Sequence, residues 1–150
     1  MPTVIARHAS EAPPQRVWEA LAYSDSFPSY VPEIVAVDVL RQEADRRSSR
    51  WTVLLGAARL SWQEEATFDH AARRIDFAQT SGALASLAGH WLVEAEGTGS
   101  AVELALTFEA GIPLLDATLH PITEQALREF AEAVLGRIAE RAAGTPATTA

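Results

Sequence analysis

Apolar and polar positions alternate along this chain with two different periods, and the places where the period changes mark out its elements. Residues 3–10 (TVIARHAS) have the length and alternation of a short strand. Pro13 and Pro14 suit the first turn of a helix, where a missing N–H would be unpaired anyway. Val17, Trp18 and Leu21 give that helix an apolar face. The next segment, YSDSFPSYVPEI, is punctuated by prolines and reads as a single helical turn plus loop. From about residue 33 the period becomes two. IVAVDVL, SRWTVLL, ARLSWQEEATF, RRIDFAQT, GHWLVEAE and AVELALTF are strand-length segments separated by turn chemistry at 41–47, 69–73, 80–83 and 97–100. Gaps this short predict antiparallel meander pairing, because parallel strands need long crossovers.

After Gly111 and Pro113 the period returns to 3.6. Leu115, Leu119, Ile122, Ala126, Phe130, Val134 and Ile138 form the expected apolar stripe. Pro121 is expected to kink or restart this helix, which is predicted over roughly 121–143 with Gly144 as its stop. The last residues, 144–150, are small and polar and read as a disordered tail. One strand, two short helices, about six strands and one long helix predict a single α+β domain over residues 1–143. Its architecture is a curved antiparallel sheet wrapped around the long C-terminal helix, and a strongly curved sheet leaves a cavity that the helix does not fill.

Alternation also predicts which side chains face that cavity. Outward Glu103 turns Val102, Leu104, Leu106 and Phe108 inward; outward Glu94 and Glu96 put Trp91 inside and His90 outside; outward Arg74 and Asp76 put Ile75, Phe77 and Gln79 inside. The fourth strand carries a conflict. Trp62 and Glu64 share a parity, and Glu64 and Glu65 are adjacent, so strict alternation must turn one carboxylate inward unless a bulge intervenes. Across a short turn at 69–73, Glu64 would lie opposite or diagonal to Gln79. A carboxylate inside an apolar cavity has a raised pKa and can exchange protons near neutrality. Glu64 is therefore the first candidate catalytic residue, with Tyr30 in the Pro-rich segment as a second. Gln79 is the expected polar partner, and Trp51, Trp62 and Trp91 are core or cavity wall.

Composition removes several alternatives. The chain has 150 residues and a net charge of −8, and every basic residue is Arg. Without Lys there is no Schiff-base chemistry, and without Cys there are no disulfides, thiolate nucleophiles or cysteine-held metals. His8, His70, His90 and His120 sit in four different elements with no ligand spacing, so no metal site and no cofactor are expected. The negative charge and the lack of a basic stripe argue against nucleic acid. No apolar run is long enough to span a membrane and no leader pattern is present, which predicts a cytoplasmic protein. GTGS at 97–100 joins two strands and is a turn rather than a phosphate cradle, and there is no G-x-S-x-G nucleophile elbow.

The element order, A-P-x-x-x-V-W at 12–18, F-P-x-Y at 27–30, W-x-x-x-x-x-F-D at 62–69 and the terminal G-I-P before a long helix resemble the START-like (SRPBCC) superfamily. Within it the chain is most similar to the bacterial polyketide cyclase/dehydrase group, with a weaker likeness to coenzyme Q-binding proteins. The resemblance covers about residues 3–142. It implies the helix-grip fold and a hydrophobic, often aromatic or polyketide, ligand held in the grip. Aromatase/cyclases of that group carry a cavity Arg on the fourth strand, a His on the last strand and an acid on the long helix. The aligned positions here are Ala66, Phe108 and Phe130, three apolar replacements. Together with Trp51, Trp62, Phe77, Gln79 and Trp91 they make up the expected ligand-binding set.

Two readings follow. In one, the chain is a cyclase that folds a polyketide or aromatic precursor into a reactive conformer, with Glu64 and Tyr30 handling protons. In the other, it is a non-catalytic carrier of a lipid, quinone or polyketide product. Both predict a hydrophobic small-molecule partner and a monomer or homodimer. Dispersed histidines and absent cysteines predict metal independence. Quenching of the four tryptophans by a hydrophobic ligand should be the same before and after dialysis against EDTA; a loss restored by a stoichiometric divalent ion would overturn this.

Overall fold

The backbone begins with a strand that has no partner until the end of the sheet has been made. In a computed structural model describing residues 3–56, 58–109 and 116–144 (the side chains of 116–120 excluded), β1 is Thr3–Ser10. Helix α1, Pro14–Ala22, follows with Pro at its start and Val17, Trp18 and Leu21 buried. A 3₁₀ helix, Ser24–Ser29, buries Phe27. The meander then runs through β2 (Ile34–Glu43), β3 (Arg46–Leu55), β4 (Ala58–Asp69), β5 (Arg74–Gly82), β6 (Ser86–Glu96) and β7 (Gly99–Glu109). The long helix α2 is Asp116–Ala143. Each meander strand pairs antiparallel with the next, and β1 pairs with β7, giving the order β1-β7-β6-β5-β4-β3-β2. This is the helix-grip architecture. G-I-P at 111–113, Leu115 and the tail beyond 144 lie outside the described residues.

Three details differ from the pattern reading. The segment 41–47 is not a long turn: β2 and β3 stay paired out to Glu43↔Arg46, leaving Ala44 and Asp45 as the connection. A hairpin at the sheet's edge can stay paired where its side chains are polar, because both of its faces are wet there. Helix α2 runs through Pro121 and starts at Asp116; a proline this close to a helix start removes only one intrahelical bond. Ile122 is 64% exposed, while Leu127, Phe130, Ala131, Val134, Leu135 and Ile138 are buried. A row of four-residue steps drifts about 40° per step on a helix of 3.6 residues per turn, so Ile122 and Ile138 end up on nearly opposite faces.

The core lies between the concave face of the sheet and α2. Helix α1 packs on α2, β6 and β7. Phe27 of the 3₁₀ helix reaches the rings of Tyr30, Trp51 and Trp91, at centroid distances of 6.0, 6.0 and 6.1 Å. The sheet is tightly packed at Gly89. A Cβ there would fall 1.9 Å from the Ala105 carbonyl oxygen on β7 and 3.1 Å from the Phe77 ring. Gly89→Ala should therefore push β6 and β7 apart and destabilise the fold by about 1–3 kcal/mol, the usual penalty of overpacking. Melting followed by circular dichroism should show a Tm lower by roughly 3–10 °C; an unchanged Tm would show that the strands have slack here.

Candidate active site in the grip

The site is built from two neighbouring strands whose inward rows face each other residue for residue. On β3 the inward row is Arg47, Ser49, Trp51 and Val53; on β4 it is Ala66, Glu64, Trp62 and Leu60. The register pairs them directly: Arg47↔Ala66, Ser49↔Glu64, Trp51↔Trp62 and Val53↔Leu60. Cross-strand neighbours on one face are the contacts that a sheet makes most strongly. Trp51 and Trp62 accordingly stack, with centroids 5.9 Å apart and planes within 5°. Each indole then bonds the polar residue two positions along its own strand. Trp51 Nε1 donates to Ser49 Oγ at 3.0 Å, and Trp62 Nε1 donates to Glu64 Oε1 at 2.8 Å.

Glu64 is the member of the Glu64–Glu65 pair that faces inward. It is 5% exposed and is the only buried ionisable side chain among the described residues. Glu65 points to the other face, where it meets Arg46 and Ser48. A bulge is present, but it falls on β5. Gln63 pairs with Ser81 and Glu64 with Gln79, so Thr80 is the extra residue and β4 keeps its alternation. Burial pushes the Glu64 carboxyl up to about 7, against the opposing pull of the Trp62 N–H and the Arg47 charge.

Arg47 is the residue that pattern reading missed. Its strand parity follows from Trp51, but assigning 41–47 to a turn hid it. Its Nε donates to Gln42 Oε1 at 2.6 Å and its Nη1 to Ser24 Oγ at 3.0 Å. The guanidinium lies 4.7 Å over the Phe68 ring, a cation–π arrangement. Burial lowers its pKa, with the charges of Asp25 and Glu64 acting in the opposite direction.

Two small spaces meet at Glu64. The first, about 20 Å³, is lined by Trp51, Trp62, Phe77, Trp91, Phe130 and further aliphatic side chains, with Glu64 as the one ionisable residue on its wall among the described residues. The second, about 10 Å³, is polar on one side, where Ser24, Arg47 and Ser49 face Ala66 and Phe68. Glu64, Trp51 and Trp91 border both. A volume near 20 Å³ holds about one water-sized sphere, so the indoles fill the grip rather than merely lining it.

The remaining candidates are more dispersed. Phe108 is fully buried but lines neither space. Gln79 donates from Nε2 to the Leu84 carbonyl at 2.9 Å, while its Oε1 is buried without a hydrogen-bond partner. Tyr30 lines neither space. Its ring lies 5.0 Å beneath the Arg141 guanidinium near the end of α2, and its hydroxyl is buried and unpartnered. Burial pushes that hydroxyl up to about 12, against the pull of Arg141, so it stays protonated at neutral pH. No group of three or more His, Cys, Asp or Glu that could hold a metal occurs among the described residues, and no helix there is long and apolar enough to cross a membrane.

The family described as polyketide cyclase/dehydrase and lipid transport matches residues 10–135, most of the chain. The chain belongs to this family. Among curated proteins, this family member is 28% identical over 138 residues to the actinorhodin polyketide synthase bifunctional cyclase/dehydratase of Streptomyces coelicolor. That match covers 88% of this chain and 42% of the relative, so the chain spans about two-fifths of that protein's length. Among solved structures, TTHA0849 of Thermus thermophilus superposes with a TM-score of 0.88 at 29% identity, covering 95% of this chain and 98% of that one. The Zhui aromatase/cyclase of Streptomyces sp. R1128 superposes with a TM-score of 0.78 at 20% identity, covering 97% of each chain, a likeness of fold.

The buried carboxyl of this family member gives its stability a pH dependence. A carboxyl raised from 4.5 to about 7 keeps its proton in the fold where the unfolded chain releases it. Its contribution is therefore full below the unfolded value and is lost as pH rises through about 7. The size is on the order of 3 kcal/mol. Urea denaturation at a series of pH values should show Glu64→Gln gaining on wild type by that order between pH 4.5 and 7. Parallel curves would mean that Glu64 ionises as it does in water.

Proposed function

We propose that this protein promotes cyclisation of a polyketide or aromatic precursor held against the stacked indoles, with Glu64 moving the proton. One observation carries the reading: among the described residues, a single ionisable carboxyl sits on an otherwise apolar wall, with a pKa of about 7. Near neutral pH both of its forms are present, which suits a group that must take and return a proton. The carboxylate removes a proton from a carbon flanked by carbonyls. The resulting enolate attacks a second carbonyl carbon and forms the new C–C bond. The carboxylic acid then returns the proton to the alkoxide oxygen. Arg47, on the same polar side, offers a fixed positive charge to oxygen as it becomes negative. The apolar wall confines a flexible chain to a few conformers, which lowers the entropic part of the barrier. Membership of the family and the relative named as a cyclase/dehydratase support this substrate class.

The second reading, a carrier for a lipid, quinone or polyketide product, is favoured by the apolar wall and by Ala66, Phe108 and Phe130 at positions where the related aromatase/cyclases are polar. Turnover separates the two. Glu64→Gln keeps an acceptor for the Trp62 indole and removes only the ionisable proton. On a poly-β-carbonyl substrate that wild type cyclises, product formation should fall about 10²-fold or more, with little change in ligand affinity. Glu65→Gln, on the opposite face, should leave the rate unchanged. Equal turnover in wild type and Glu64→Gln removes Glu64 from the mechanism, and absence of turnover with tight binding in both favours the carrier.

A further inference from the structure

The enclosed space of about 20 Å³ is far below the roughly 300 Å³ at which small-molecule pockets begin, so any ligand of the class proposed above must displace a wall. One wall has somewhere to go. Phe130 lines the inner space and also an open groove of about 380 Å³ between α2, residues 32 and 33, and the end of β3. Among the described inner residues it alone lines this groove. Its ring is the partition between a closed apolar slot and a ready-made outer cleft.

The groove is shaped to receive that ring. Ala126 and Ala133 lie four residues before and three after Phe130, so they flank it on the same face of the helix. Both are too short to obstruct a phenyl group turning about its first side-chain torsion. Opposite stands Gly56, whose missing side chain would meet nothing within 4 Å. The floor is held in place by the Leu54 N–H donating to the Glu33 carbonyl at 2.8 Å, so the cleft does not depend on side-chain packing alone. Among the described residues, Glu33 and Glu129 are the charged ones on its lining. Two carboxylates at an entrance discourage anions, and the apolar wall behind them disfavours charge of either sign.

We infer that this groove is the ligand port and that Phe130 is its door: the ring swings into the space between Ala126, Ala133 and Gly56, and an uncharged apolar ligand passes behind it toward Glu64. The inference rests on the proposal that the grip interior is the binding site. It adds the route and the charge class of the ligand.

The test uses stopped-flow binding of the uncharged dye N-phenylnaphthylamine to the intact protein, read by energy transfer from tryptophan. Ala133→Leu and Ala126→Leu fill the groove from a partly exposed helix face and leave the inner wall unchanged. Each should slow association about tenfold or more, the size of barrier that overpacking imposes. Dissociation should slow by a similar factor, so that affinity barely moves. Phe130→Ala removes the door and should speed both rates. It also leaves a hole in a packed region, so the two alanine variants carry the test if it fails to fold. Unchanged rates in both alanine variants, with wild type binding the dye, overturn the port and leave the interior site standing. A loss of affinity rather than rate would place the dye in the groove itself and also overturn the door. If wild type excludes the dye and folded Phe130→Ala admits it, the door is supported. If both exclude it, the port and the interior site fall together.

Discussion

A carboxylate taken out of water is tolerated only as far as its surroundings compensate for the lost hydration, and the interior of this domain is arranged around that constraint at Glu64. Compensation here is partial. One indole N–H reaches Oε1 and one guanidinium lies close enough to act through space, but desolvation remains the largest influence and holds the carboxyl near 7. A fully satisfied carboxylate would ionise normally and be a poor proton carrier at neutral pH. A carboxyl with no partner would stay protonated over the whole physiological range. The pairing of Trp51 with Trp62 keeps Glu64 between those limits, because the stack fixes the Trp62 ring from which the N–H is presented.

The same aromatic packing explains why the grip is nearly closed. Flat rings filling a concave sheet leave little void, and dense packing is what protein interiors ordinarily reach. A site of this kind gives up part of its own packing when it is occupied, and an apolar ligand restores what the side chains relinquish. Such an exchange favours ligands that present extended apolar surface over small polar ones.

The strand register also decides where the polar side of the grip comes from. Directly across from Ala66 on β4, the paired residue on β3 is Arg47. The guanidinium thus comes from the adjacent strand, turned toward Ser24 and the Phe68 ring. The grip therefore has a polar side although Ala66 itself is apolar.

Much of the fold was legible because it rests on periodicity. A change from period two to period 3.6 is written in the order of residues, and short gaps leave antiparallel pairing as the economical solution, so the meander and the long helix could be read directly, and the inward parity of Glu64 only on condition that β4 carries no bulge. What depends on register could not. A single extra residue decides whether a strand keeps or inverts its faces, and only the pairing places that residue at Thr80 on β5 rather than on β4. Arg47 was hidden because polar side chains at a sheet edge resemble a loop, and hydrogen bonding between β2 and β3 is what makes them a strand. Ile122 was misplaced because small angular errors accumulate around a helix until contact with the sheet selects one face. Local pattern in the chain accounts for the elements and for the chemistry available to them. The tertiary structure decided which of those groups meet, since contact between residues far apart in the chain is set by register and packing rather than by local pattern.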